Sequence, residues 1–211
     1  MDRETANMIM RTLEKQYPGA GPGLRFENPF QLLIATILSA QCTDARVNQV
    51  TSRLFKKYRS PEDFAHAKLN EIESEIKECG LYRAKSKHII ETCKKLVEDF
   101  GGEVPQNRED LMKLPGVGRK TANVVLSNAF GVNAIGVDTH VFRVANRLGL
   151  ASSKDAFGTE KDLMEILPEE MWGKAHHLLI YHGRNICRAK RPRCGICPVN
   201  SYCKYYNDLK G

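Results

Sequence analysis

Four cysteines crowd one short stretch, "CRAKRPRCGICPVNSYC", where Cys187, Cys194, Cys197 and Cys203 are spaced C-x6-C-x2-C-x5-C. Thiols packed this closely either cross-link or close around a metal, and each choice dictates how the surrounding loop folds. The segment is too tight and too basic for a disulfide scaffold. The opening residues "MDRETANMIMRTLEKQYPGAG" carry acids and no apolar secretion signal, so no oxidising compartment is indicated. A metal centre is therefore expected. Zinc is the generic partner of four thiolates, with His182 available as a substitute ligand. An iron-sulfur cluster takes the same number, although this spacing is neither of the common ferredoxin patterns. Cys42, Cys79 and Cys93 are scattered over expected helices and read as core residues.

The rest of the chain reads as all-α. Helical periodicities recur and alternating strand patterns hardly appear. Asn28-Pro29 and Ser60-Pro61-Glu62-Asp63 each place a cap before a first-turn proline, and Asn107 with Asp110 and Thr159 with Asp162 resemble capping boxes. Gly80 and Gly101-Gly102 are expected helix stops, and Pro115 ends "REDLMKL". "NAIGV", residues 133–137, reads as a loop leading into a helix from Thr139 to about Leu148. The most apolar stretch, "PFQLLIATILSA", is too short for the roughly 20 residues of a membrane span and reads as a buried helix. Trp172 reads as a core anchor. No repeat or linker marks a domain boundary.

Charge narrows the partner. The 211 residues carry a net charge of +7. Between Gly183 and Gly211 seven bases (Arg184, Arg188, Lys190, Arg191, Arg193, Lys204 and Lys210) face the single acid Asp208, so most of the excess is one local patch. A patch of this kind suits a polyanion such as nucleic acid or an acidic membrane surface.

"EDLMKLPGVGRKTANVVLSNAF" reads as helix, tight turn, helix. Gly116 and Gly118 allow positive φ and remove side chains, so that successive N–H groups from Gly116 through Val117 and Gly118 to Arg119 can face one anion at a helix N-terminus. Two glycines in a turn also serve ordinary helix connections. Lys120 follows at once. An unperturbed lysine with a pKa of about 10.4 is only about 0.04% neutral at pH 7, whereas a fall to roughly 8 gives about 10% of the nucleophilic amine. The helix end and partial desolvation act in that direction. Phosphate pairing is the commoner use of such a lysine. Asp138, in "GVDTHVFRVANRL", is a good helix N-cap, and a carboxylate near a sugar could also stabilise positive charge and shuttle protons. His140 reads as a structural first-turn histidine.

"LPGVGRKTA" closely resembles the helix-hairpin-helix motif, and together with "VDTHVFRVANRL" and the C-x6-C-x2-C-x5-C tail the chain resembles the endonuclease III family over nearly its whole length. The resemblance implies a helix-hairpin-helix glycosylase fold of two helical domains with DNA in the cleft between them. Residues 21–132 would form a six-helix bundle, and 1–20 with 133–211 a discontinuous iron-sulfur domain. It implies a 4Fe-4S cluster on Cys187, Cys194, Cys197 and Cys203, acting as a scaffold that presents Arg188, Lys190, Arg191 and Arg193 to phosphates. Lys120 would be the Schiff-base nucleophile and Asp138 its carboxylate partner, eighteen residues later. In "LSAQCTDARVNQV" and "ECGLYRAKSKHI", Gln41 would fill the gap left by an extruded nucleotide and Leu81 would wedge beside the opposite base.

The expected activity is base excision repair: an N-glycosylase for oxidised or ring-damaged pyrimidines with associated AP lyase, acting as a cytoplasmic, nucleoid-associated monomer on duplex DNA. Adenine- or mismatch-specific glycosylases share the hairpin and cluster but typically lack the lysine, and the adenine-specific members carry a further C-terminal domain. A non-catalytic, metal-bearing DNA-binding module would use the same basic residues only to grip phosphates.

Overall fold

The computed structural model describes residues 1–209; Lys210, counted above among the tail cations, lies outside the described residues. Among the described residues there are helices and no strands, and no helix is long and apolar enough to cross a membrane. The chain divides into two compact units, one spanning Pro22–Val132 and the other Met1–Gly21 with the segment from Asn133 onward.

The Pro22–Val132 unit contains α2 (Pro29–Ser39), α3 (Asp44–Lys57), α4 (Pro61–Ala65), α5 (Leu69–Ile76), α6 (Tyr82–Phe100), α7 (Arg108–Met112) and α8 (Arg119–Phe130). These are seven helical segments where the resemblance implies six. The apolar α2 lies at the centre, with Leu32, Leu33, Ile34 and Leu38 fully or almost fully buried, and packs on α3, α6 and α8. Phe64 of α4 sits between Phe30 and Tyr58, with ring centroids 5.7 and 5.0 Å away. The Asn28 and Ser60 side chains cap α2 and α4, and Ser60 and Asp63 close a reciprocal capping box.

The second unit holds α1 (Arg3–Gln16), α9 (Thr139–Leu148), α10 (Ala156–Ile166), α11 (Trp172–Asn185) and α12 (Lys204–Asp208). Its core joins Ala6, Ile9, Met10 and Leu13 of α1 to Val141, Val144 and Leu148 of α9, to Leu178 and Leu179 of α11, and to Cys187, Val199 and Cys203. Residues 133–137 are a loop and α9 begins at Thr139, both as the sequence predicts. Trp172 packs against this core and donates its indole N–H to Leu167 O at 3.2 Å.

Three local expectations are corrected. Thr159 does not start α10. Asp155 is the cap, while Asn146 donates to the buried Thr159 hydroxyl at 3.3 Å and Asp162 accepts from Ser152 and Ser153. The helix expected to run to Gly80 ends at Ile76, so Cys79 lies in a turn. Cys42, expected on a helix, lies in the half-exposed turn before α3; only Cys93 is both helical and buried.

Candidate functional site

The hairpin runs from α7 through Leu114–Gly118 into α8. Gly116 stands at φ +77°, and a Cβ there would meet the His88 ring at 3.0 to 3.2 Å, so both backbone and packing require glycine. Thr92 Oγ1 donates to Pro115 O at 2.8 Å and pins the turn to α6. Gly118 differs from the expectation of positive φ. It is the α8 N-cap at φ −88°, and a Cβ on it would meet nothing within 4 Å. Val117 also differs from the expected phosphate donor: its side chain is buried and its N–H closes the turn on Leu114 O at 3.1 Å. Arg119 and Lys120 occupy the first turn of α8, both half-buried.

Asp138 caps α9. Its Oδ1 accepts from the N–H groups of His140 and Val141, each at 2.8 Å. Both bonds fall on one oxygen, so capping engages only half of the carboxylate. Burial lowers the His140 pKa below the ordinary value, and Arg143 Nη2 lies 3.2 Å from its Nδ1. Lys120 belongs to the Pro22–Val132 unit and Asp138 to the other.

Gln41 and Leu81 are the tips of two adjoining turns. Both hold left-handed backbone, at φ 52° and 60°, which is strained for residues with a Cβ. Leu81 is 57% exposed, a large apolar side chain presented to solvent. A Cβ on Gly80 would stand 3.3 Å from Gln41 O, so the turns pack directly against each other. Glu78, paired with Arg46 and Arg53 of α3, braces the second turn.

In the C-terminal segment the structure brings Cys187, Cys194, Cys197 and Cys203 to one pocket, lined also by Leu148, His182 and Tyr205. Among the described residues no three ligating side chains close on a single ion. Four thiols around a shared pocket instead fit a polynuclear centre, in which each thiolate binds its own metal atom. Burial pushes the Cys197 thiol up to about 11, and raises Cys203 as well, so positive charge within the pocket is what would hold them as thiolates. His182 is fully buried, and burial holds its pKa down to about 4. Burial also raises the Tyr17 pKa to about 12, and its hydroxyl lies 3.1 Å from His182 Nδ1. Cys197 Sγ lies 3.5 Å from the other ring nitrogen, Nε2. His182 thus links Tyr17 to a candidate ligand sulfur by hydrogen bonds.

Two residues that the sequence reading passed over tie this loop to α9. Arg143 donates to Cys187 O at 3.1 Å and Gly183 O at 3.1 Å. Arg147 donates to Arg188 O at 2.7 Å and Ala189 O at 3.1 Å, approaches Cys187 Sγ at 3.6 Å, and stacks over the Tyr205 ring at 4.7 Å. The signal was available in "RVANR", where two arginines four apart share one helix face. Arg188, Lys190, Arg191 and Arg193 are exposed on the loop so held, with Arg191 at φ 51°.

Residues 34–169 match the model of the HhH-GPD superfamily of base excision DNA repair proteins, and residues 187–203 match the iron-sulfur binding domain of endonuclease III. The endonuclease III of Bacillus subtilis (strain 168) is 54% identical over 189 residues, covering 89% of this chain and 86% of that protein. This chain belongs to the endonuclease III family. Membership makes it a base excision repair enzyme, a DNA glycosylase with the family's AP lyase activity, and its cofactor is a 4Fe-4S cluster. The fold is similar to that of a trapped endonuclease III–DNA covalent intermediate, with a TM-score of 0.94, 47% identity and all of both chains covered. A thermostable thymine-DNA glycosylase is similar at a TM-score of 0.86 and 28% identity, covering 97% of this chain and 98% of that one.

Proposed function

We propose that Lys120 is the nucleophile of a glycosylase/lyase acting on oxidised or ring-damaged pyrimidines and abasic sites in duplex DNA. The observation that carries the reading is the hairpin itself. A left-handed, pinned Gly116 and an open Gly118 bring the backbone to the start of α8, and Lys120 lies in that helix's first turn. The trapped covalent DNA intermediate of a 47% identical endonuclease III supports an enzyme that bonds to its substrate.

In this reading the hairpin N–H groups of Gly116, Gly118 and Arg119 hold a backbone phosphate, and the open space beyond Gly118 admits it. Val117 shapes the turn from within. Gln41 and Leu81 enter the duplex from their two exposed turns and replace part of the stacking lost when a nucleotide is flipped out, a cost of a few kcal/mol. The neutral Lys120 amine attacks C1′ of the flipped nucleotide; the base leaves with the glycosidic electron pair and takes up a proton. The attached amine loses a proton and its lone pair expels the ring oxygen O4′, which takes up a proton as the sugar opens to a Schiff base; removal of a C2′ proton then expels the 3′ phosphate by β-elimination. Asp138 supplies a carboxylate for charge stabilisation and proton movement, with the oxygen that the cap does not use.

Cys187, Cys194, Cys197 and Cys203 would hold the 4Fe-4S cluster. Bound, it supplies a rigid cross-link and positive charge for four thiolates, and Arg188, Lys190, Arg191 and Arg193 present their charges to DNA phosphates from the loop it fixes. We assign the enzyme to the cytoplasm, at the nucleoid, as a monomer.

Borohydride trapping on a duplex with one abasic site tests the assignment. Native protein yields a covalent adduct and Lys120→Ala yields none; an adduct that survives the substitution assigns the nucleophile to another amine. Asp138→Asn keeps an N-capping side chain and should leave stability nearly unchanged while slowing base release by about a hundredfold or more.

A further inference from the structure

Cys42 and Cys79, which the chemistry above does not use, meet beneath the two turns that carry Gln41 and Leu81. Cys42 follows Gln41 directly, and Cys79 precedes Leu81 by two residues. Their side chains are close enough to interact, and the Cys42 thiol adds to the rise that burial causes in the Cys79 pKa. Cys79 is fully buried, whereas Cys42 is partly open to solvent. Lys85, only 3% exposed, lies in the first turn of α6 and donates to Leu38 O at 2.8 Å, and its charge acts on both sulfurs. A buried ammonium so placed is a counter-charge for a thiolate. Cys93 offers a contrast. It is buried inside α6, where burial holds its thiol strongly protonated.

We propose that Cys42 and Cys79 form a peroxide-sensitive dithiol whose disulfide ties the Gln41 turn to the Leu81 turn and slows base excision. The Cys42 sulfur, reachable from solvent, attacks hydrogen peroxide. A sulfur–oxygen bond forms as the O–O bond breaks, giving a sulfenic acid and one water. Cys79 then attacks that sulfur; the S–S bond forms, the hydroxyl leaves, and with the Cys79 proton it becomes a second water. In sum, two thiols are oxidised, one peroxide is reduced and two waters leave. Burial raises the Cys79 pKa to about 11, which suits a thiol that reacts second, with the sulfenic acid already in contact. A bond here fastens together two strained turns that pack on each other where Gly80 meets the Gln41 carbonyl. The consequence for excision rests on the proposed insertion of Gln41 and Leu81 into DNA; the formation of the bond does not.

The test exposes the cluster-loaded protein to hydrogen peroxide, quenches it by alkylation, and maps tryptic peptides while the visible absorption of the cluster is followed. The expected product joins the peptide Phe26–Arg46 to the peptide Glu78–Arg83, two hydrogens lighter than their sum. It is absent from Cys42→Ser and Cys79→Ala, and the cluster absorption is retained. Single-turnover excision by the oxidised native protein should fall about tenfold and return on treatment with dithiothreitol, with peroxide-treated Cys42→Ser unaffected. No joined peptide, or Cys42 paired with Cys93 or a cluster cysteine, overturns the proposal, and so does a joined protein that excises at the reduced protein's rate. Should Gln41→Ala and Leu81→Ala leave excision unchanged, the insertion reading fails instead, and peptide mass still decides whether the bond forms.

Discussion

Gly116 and Gly118 are two residues apart and do different work. The first is fixed by the protein, through its left-handed backbone and the His88 ring; the second has neither constraint and faces open space. Gly116→Ala should therefore cost about 1–3 kcal/mol of folding stability. Gly118→Ala should change stability by less than about 0.5 kcal/mol and still weaken binding to abasic-site DNA. Denaturant unfolding paired with fluorescence anisotropy separates the two effects; equal stability losses would deny the distinction. The sequence marks both glycines as special but not which is structural, because only the fold places His88 beneath one of them. Gln41 and Leu81 were harder still to read locally. Nothing in a glutamine or a leucine signals left-handed backbone, and it was family likeness rather than residue chemistry that drew attention to them.

Among the elements, α9 links the Asp138 cap at its start to the cluster loop through Arg143 and Arg147. Arg147→Ala removes charged donors from two loop carbonyls and should destabilise the loop by about 2–4 kcal/mol. Faster loss of the cluster's visible absorption under a chelator reports this, and Arg147→Lys should rescue it poorly, since one ammonium cannot reproduce a planar fork. In α11, burial depresses the His177 pKa below its reference of 6.5. The native state holds this ring neutral, while the unfolded chain binds a proton as pH falls through that value. Stability from this group is thus present above about 6.5 and declines below it. Urea midpoints should fall from pH 7.5 to pH 5.5, and less so in His177→Gln. The limits of α9 were legible because Asp138 and Gly149 bracket it with strong cap chemistry. The start of α10 was not: Thr159 and Asp162 have capping-box spacing, but Asn146 and the Ser152–Ser153 turn take their side chains first.

For the whole molecule, the concentrated positive charge predicts a steep salt dependence of DNA binding. Each phosphate neutralised contributes a slope of about −0.9 in log affinity against log salt, so Lys190→Ala or Arg191→Ala should each flatten the line by about 1. Titrations at several salt concentrations check this, and an unchanged slope removes that residue from the footprint. The tail's cluster motif was legible because thiol spacing survives in one dimension. The division at Pro22 and Val132 was not, since it depends on α1 packing against helices more than a hundred residues away.

That packing has a consequence for how the protein is made. Met10 and Leu13 share a core with Val199 and Cys203, so α1 leaves the ribosome long before its partners exist. The Pro22–Val132 unit, contiguous in sequence, can close while synthesis continues. Its neighbour must wait for Cys203, the last of the four pocket cysteines. Assembly of the cluster thus follows synthesis of all four of its cysteines, and a chain interrupted before Cys203 leaves the core that α1 shares with the pocket incomplete.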